Sequence, residues 1–180
     1  MSMLSAAVWC RDWRWLRERP CWSRKDRGGR TRPPLASHEE VSALKLATAL
    51  HAALEAGQHG EALRSLFNQD ATTVEHPNQL RASGAVLGVE EMLAGSVAGA
   101  SLLQWQKFDI HQIVENGAEV VLRVTWTGSV RAAVGQFKAG QVLRAHMVQF
   151  IRTRNGRIHQ IETYDCYEPF EPPSNPSAPV

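Results

Sequence analysis

Gln141 to Asp165 read QVLRAHMVQFIRTRNGRIHQIETYD, and the pair Asn155-Gly156 near its middle decides how the stretch folds. Asn-Gly tolerates the positive φ that a two-residue hairpin turn requires at both central positions, so the flanking residues become antiparallel strands. The spacing predicts strands over Gln141–Thr153 and Arg157–Tyr167. Working outward, Asn116-Gly117 gives the same signal between Trp105–Glu115 and Glu119–Gly128. The connection from Ser129 to Gly140 is longer and contains glycine, which predicts a looser hairpin. Four strands joined in this way make an antiparallel meander.

Ahead of Trp105 the period changes from two to between three and four. Val41, Leu44, Ala47, Leu50 and Leu54 recur at helical spacing, with Ser37 and Glu40 as a capping box in front and Gly57 behind. These bounds predict a helix over 38–56. A short helix follows from Gly60 to Phe67, with Leu63, Leu66 and Phe67 on one side. Ala71–Glu75 is β-branched and stopped by Pro77, so it reads as an edge strand leading into the loop HPNQLRASG. Gly88 and Glu90 open a third helix that runs to about Leu103. Helices first and strands after, with no βαβ alternation, define an α+β domain. The expected form is a cone, a curved antiparallel sheet wrapped by the N-terminal helices around an apolar pocket.

Alternation separates the sheet faces. Val120, Leu122, Val124 and Trp126 share one side of their strand; Glu119, Arg123, Thr125 and Thr127 share the other. In the next strand Val142, Arg144, His146, Val148 and Phe150 form one face and Leu143, Ala145, Met147, Gln149 and Ile151 the other. Both faces are largely apolar. Helices cover only one, so the second implies a partner subunit packed sheet to sheet, a homodimer.

Charge and composition bound the rest. The 180-residue chain carries a formal net charge of +2, but residues 1–34 hold nine of the twenty basic residues and three of the eighteen acidic ones. The body is therefore net acidic, which argues against nucleic-acid binding by the fold. Residues 1–34 also hold four of the six tryptophans and end in a Gly/Arg/Pro stretch. They are read as a disordered basic tail or as a start assigned too far upstream, with Trp9, Trp13 and Leu16 as a short basic amphipathic pattern. The domain is assigned to 35–170 and a Pro-rich tail to 171–180. Cys10, Cys21 and Cys166 fit neither a disulfide framework nor a zinc site. Nothing approaches the roughly 18 consecutive apolar residues of a membrane span, and arginines break any signal-peptide core. A cytoplasmic protein is expected.

The succession ALEAGQHGEALRSLFNQDATTVEHPNQLRASG, the helix from Val89, and IRTRNGRIHQIETYD together resemble the nuclear transport factor 2-like superfamily, also described as a cystatin-like α+β roll. Within it the chain is most similar to SnoaL-like proteins and the ketosteroid isomerases. The resemblance covers about 38–170. It implies the cone fold, and an activity drawn from a superfamily of isomerases, cyclases, epoxide hydrolases, dehydratases and binding modules.

In the isomerases the residue before the proline is an aspartate that moves a proton between carbons; here His76 stands there. The resemblance puts Leu50 at the place of their helix-one tyrosine and Val148 at or near that of their strand acid, and neither donates a hydrogen bond. A shift of a residue or two would bring His146 to the latter place. SnoaL-like cyclases are similar in using a late-strand aspartate and a histidine, for which Asp165 and His146 are the candidates.

The candidate proton movers are thus His76 and His146, assisted by Tyr164 or Asp165. An imidazole suits the role because its ordinary pKa, about 6.5, lies near working pH. Asn78, Leu50, Trp105, Trp126, Val148 and Phe150 are expected to line the pocket. His38, His51, His59, His111 and His159 read as solvent-facing or structural, and no pair has HExxH or metal-triad spacing. Neither a metal nor a cofactor is expected. The implied function is acid–base chemistry, such as isomerisation, cyclisation or dehydration, on an apolar carbonyl-bearing molecule. The alternative is a non-catalytic ligand-binding or dimerisation module of the same fold.

Overall fold

The computed structural model describes residues 42–170; the regions read as tails, 1–34 and 171–180, and the Ser37/Glu40 capping box lie outside the described residues. Helix α1 runs Ala43–Glu55, and its cap is Ser42, whose hydroxyl accepts the Lys45 N–H at 3.2 Å. The helix thus starts at Ala43, a correction to the start at residue 38 read from Ser37. Glu115, from the far end of the sheet, accepts the free Leu44 N–H, which ties the same helix end to a strand. A 3₁₀ turn (Gly60–Leu66) buries Leu63. Helix α2 (Val89–Leu102) is opened by the Glu91 carboxylate, which accepts the Gly88 N–H at 2.8 Å.

Six strands follow or interleave: β1 (Phe67–Glu75), β2 (Ala85–Gly88), β3 (Leu103–Asn116), β4 (Glu119–Val130), β5 (Val142–Arg154) and β6 (Arg157–Tyr167). They form one unclosed, curved sheet in the order β2-β1-β6-β5-β4-β3. The meander β3 to β6 is antiparallel as expected, and Asn155 (φ 53°) and Gly156 (φ 70°) take the left-handed values of the predicted turn. Two features depart from the reading. β1 is not an edge: it pairs parallel with β6 on one side and antiparallel with β2 on the other, so the sheet is mixed. Pro77 lies beyond the ladder and does not interrupt it, and the four residues of β2 were too short to show alternation.

Helix α1 lies across the concave face. Its buried stripe, Ala43, Leu46, Ala47, Leu50 and His51, packs on Val120, Leu122, Val124, Ile151, Ile158 and Ile161 in one core. On this inner face cross-strand register aligns Leu122, Gln149, Thr163 and Glu75 in one row and Val124, Met147 and Asp165 in the next. Val121, Phe150 and Glu162, with Arg123, Val148 and Tyr164, occupy the outer face.

Candidate functional site

The core does not fill the cone. Between α1 and the middle of the sheet lies a cavity of about 270 Å³, lined by Leu50, His51 and Leu54 from the helix and by Thr73, Phe108, Trp126, Met147, Gln149, Ile151, Ile161, Thr163 and Tyr167 from the strands. Its walls are mainly apolar, which makes the few polar groups conspicuous. His51 is 4% exposed and Gln149 9%, and they meet across 98 residues of chain, His51 Nε2 to Gln149 Oε1 at 2.8 Å. Burial lowers the His51 pKa, opposed by the Gln149 hydrogen bond and the Glu55 charge, so the imidazole is neutral at working pH. A neutral ring bonded to a carbonyl oxygen carries its proton on Nε2. The Gln149 amide nitrogen is then left to donate into the cavity, and His51 Nδ1 is buried with no partner.

Phe108 stacks on His51 at 4.4 Å and 5°, fixing the ring plane. Trp126 meets Tyr167 edge-on at 6.2 Å, and its indole N–H donates to Gln106 at 3.1 Å. The indole occupies space that only a glycine leaves: a Cβ at Gly128 would come within 2.6 Å of it.

Asp165 stands beside this cavity, in register with Met147 and on the same face as Thr163 and Tyr167. The Thr163 hydroxyl donates to it at 2.6 Å. Burial raises the Asp165 pKa; the Thr163 hydrogen bond opposes the shift and the Glu75 charge adds to it. Burial likewise raises that of the Tyr167 phenol, with Asp165 and Glu75 contributing.

The other sequence candidates are placed differently. Leu50 and Trp126 line the cavity, but His146, Val148 and Phe150 are on the outer face, because α1 covers the alternate residues Met147, Gln149 and Ile151. His146 is paired there with Glu168 at 3.1 Å, its side chain 62% exposed. His76 and Tyr164 are brought together outside the cavity: the rings stack at 4.0 Å, and the Glu162 carboxylate takes the His76 Nε2–H at 2.9 Å and the Tyr164 hydroxyl at 3.0 Å. These two bonds, His76 first, lower the Glu162 pKa. Asn78 is spent on its own turn, donating to Glu75 and accepting from the Leu80 and Arg81 N–H groups. Trp105 is 46% exposed and does not line the cavity. His51, read as solvent-facing or structural, and Gln149, left unassigned, form the buried pair. The signal for both was present: each sits one residue after the position matched to an isomerase donor, Leu50 and Val148, and Gln149 shares its strand face with Leu143, Ala145, Met147 and Ile151.

Among the described residues no group of three or more His, Cys, Asp or Glu is placed to hold a metal ion, and no helix is long and apolar enough to cross a membrane. A larger cavity, about 480 Å³, lies elsewhere, between residues 138–144 and Glu168–Phe170. It brings together none of the buried polar groups described above.

Two helices laid over an unclosed six-stranded sheet, with a polar-dotted cavity beneath the first, define the nuclear transport factor 2-like class. The chain belongs to the SnoaL-like domain family, whose sequence model matches residues 47–161, more than half of its length. Solved structures agree on the fold. IdmH from Streptomyces antibioticus, provisionally assigned as a polyketide cyclase, superposes with a TM-score of 0.57 at 20% identity, covering 68% of this chain and 91% of its own. A hypothetical protein of ketosteroid isomerase-like fold from Catenulispora acidiphila DSM 44928, solved with trimethylamine, gives 0.54 at 23%, covering 67% and 84%. A protein from Jannaschia sp. CCS1, provisionally assigned as a SnoaL-like polyketide cyclase, gives 0.55 at 16%, covering 76% and 91%. No curated protein matches the chain in sequence.

Proposed function

We propose that this chain is a cytoplasmic, cofactor-independent enzyme that moves protons on an apolar, carbonyl-bearing molecule held in the inner cavity. The observation that supports the reading is the His51–Gln149 pair on an otherwise apolar cavity wall, with Asp165 beside that cavity on the same sheet face. Gln149 is directly opposite Thr163, and Asp165 lies two residues further on the same face. Such diagonal neighbours stand about 7–8 Å apart, the span of a base, an acidic C–H, the adjoining C=O and a donor. Asp165 in its carboxylate form takes the proton from the carbon beside the carbonyl. The electron pair moves onto oxygen, where the Gln149 N–H, oriented by neutral His51, stabilises the developing charge. Return of the proton to another carbon isomerises the molecule; given instead to a departing β-hydroxyl, which leaves as water, or to the alkoxide formed when the enolate carbon attacks a second carbonyl, the same proton completes dehydration or cyclisation. An exposed free thiol at Cys166 suits a reducing compartment.

The test is solvent deuterium exchange into a panel of enolisable ketones, followed by NMR. Gln149→Leu is expected to lower the exchange rate about 10²-fold, the usual cost of one oxyanion donor. An unchanged rate would remove Gln149 from the chemistry. Ketones that bind the wild type without exchanging would assign the chain to the non-catalytic binding class instead.

We further propose that the outer face packs against a second copy. The row Val114, Val121 and Phe150, flanked by Val148 and Tyr164, is apolar, and Val114 and Tyr164 are 53% and 43% exposed. Sedimentation is expected to give a species of twice the 20.0 kDa chain mass; a monomer at micromolar concentration would refute it.

A further inference from the structure

A second cavity, about 300 Å³, opens between the C-terminal end of α1, the end of α2 and the start of β3. Leu54 lines both it and the inner cavity, so the two share a wall. Gln106, which lines the outer cavity, is bonded to two residues of the inner one: it donates to the Leu54 carbonyl at 3.2 Å and accepts the Trp126 indole N–H at 3.1 Å. The two spaces differ in character. None of the residues lining the inner cavity is exposed, whereas the outer rim at 57–59 and 104–105 is. The outer lining is also mostly polar, with His59, Gln104 and Arg131 around the half-exposed face of Trp105.

We propose that the outer cavity is a second lobe of the ligand site, reached past Gln106, and that it holds the remote hydroxylated end of an elongated ligand. This rests on the reading that the inner cavity takes the carbonyl end. The inner lobe by itself falls below the about 300–1,000 Å³ of ordinary small-molecule sites, and the two together fall within it. Beside Leu54, the movable part of the partition is the Gln106 side chain, held by two neutral hydrogen bonds that ligand or water replaces at little cost. When Gln106 swings out, the Trp126 N–H and the Leu54 carbonyl become available to the middle of the ligand. Trp105 supplies a flat wall for its outer part.

The test uses the full chain and two probes, 2-naphthol and 2-naphthol carrying a four-carbon hydroxyl-terminated ether at carbon 6, with affinities from naphthol fluorescence. The extended probe is expected to bind about tenfold more tightly, the gain for two or so added buried methylenes. Trp105→Ala, which removes the wall, and Ala100→Phe, which fills the lobe, are each expected to abolish that gain and leave 2-naphthol affinity unchanged; both positions lie outside the buried core. Gln106→Ala is expected to speed association of the extended probe. Equal affinities of the two probes, or a gain that survives both lobe variants, overturns the second lobe while leaving the inner site standing. Failure of both probes to bind overturns the inner site, and the lobe with it.

Discussion

Asp165→Asn is expected to lower turnover of a carbonyl substrate by about 10²–10⁴-fold, the usual contribution of a positioned base, and to make the protein more stable at neutral pH. The two effects share a cause. The native pKa of Asp165 is raised, chiefly by burial. Below the unfolded-state value, about 3.9, both states hold the proton and the group is indifferent to folding. As pH rises through the higher native pKa, the folded protein must form a charge in a poorly solvated place while the unfolded chain already carries it in water. Stability is therefore lost as pH rises. Asparagine escapes this cost and still accepts the Thr163 hydroxyl. Thermal unfolding from pH 3 to 7 should show the variant and wild type together at the acid end and the variant above it at neutrality. Coincident curves at pH 7, or undiminished turnover, would rule out this role for Asp165. A group that destabilises the fold at working pH in a cleft is a pattern of functional sites.

Leu122→Ala is expected to cost about 3–4 kcal/mol and to lower Tm by about 10 °C or more. Leu122 is 0% exposed in β4, which is held by ladders to β3 and β5 on its two sides. The backbone has no freedom to collapse into the vacated space, so the cavity penalty adds fully to the lost transfer energy. Val148→Ala, one strand over and on the outer face, is expected to cost about 1 kcal/mol or less in dilute monomer. Denaturant unfolding of both at low protein concentration checks which face is covered. Equal costs would contradict the placement of α1, and with it the placement of His51 against Gln149.

Much of this architecture was legible because it is local. The turn at Asn155-Gly156 needs only two residues able to take positive φ, and the helical stripe from Leu46 to Leu54 needs only its own period. The miss at the start of α1 is also local: Ser37 and Ser42 both suit an N-cap, and the structure uses the second, where the Lys45 N–H is within reach. β2 and the parallel pairing of β1 with β6 were not legible. A four-residue strand exists through its partner, and a parallel ladder joins segments whose sequences carry no mark of each other. The reading of His51 stayed open between solvent-facing and structural for the same reason: the oxygen that satisfies it in the core comes from Gln149, 98 residues away.

The sequence by itself determined the helices and the hairpin-joined strands, their order and the alternation that sorts β5 into two sets of residues. Each of these depends on neighbours within a few positions. Only the tertiary structure decided which set faces the cone. Both sets are apolar enough to be buried, and the choice is made by where α1 lies, a long-range contact with no local signature. Because strand side chains alternate with period two, that choice moved the candidate chemistry on β5 by one residue, from Val148 to Gln149; on α1, where Leu50 and His51 both line the cavity, it brought His51 against Gln149. It left Asp165 beside the cavity and turned His76, His146 and Tyr164 outward.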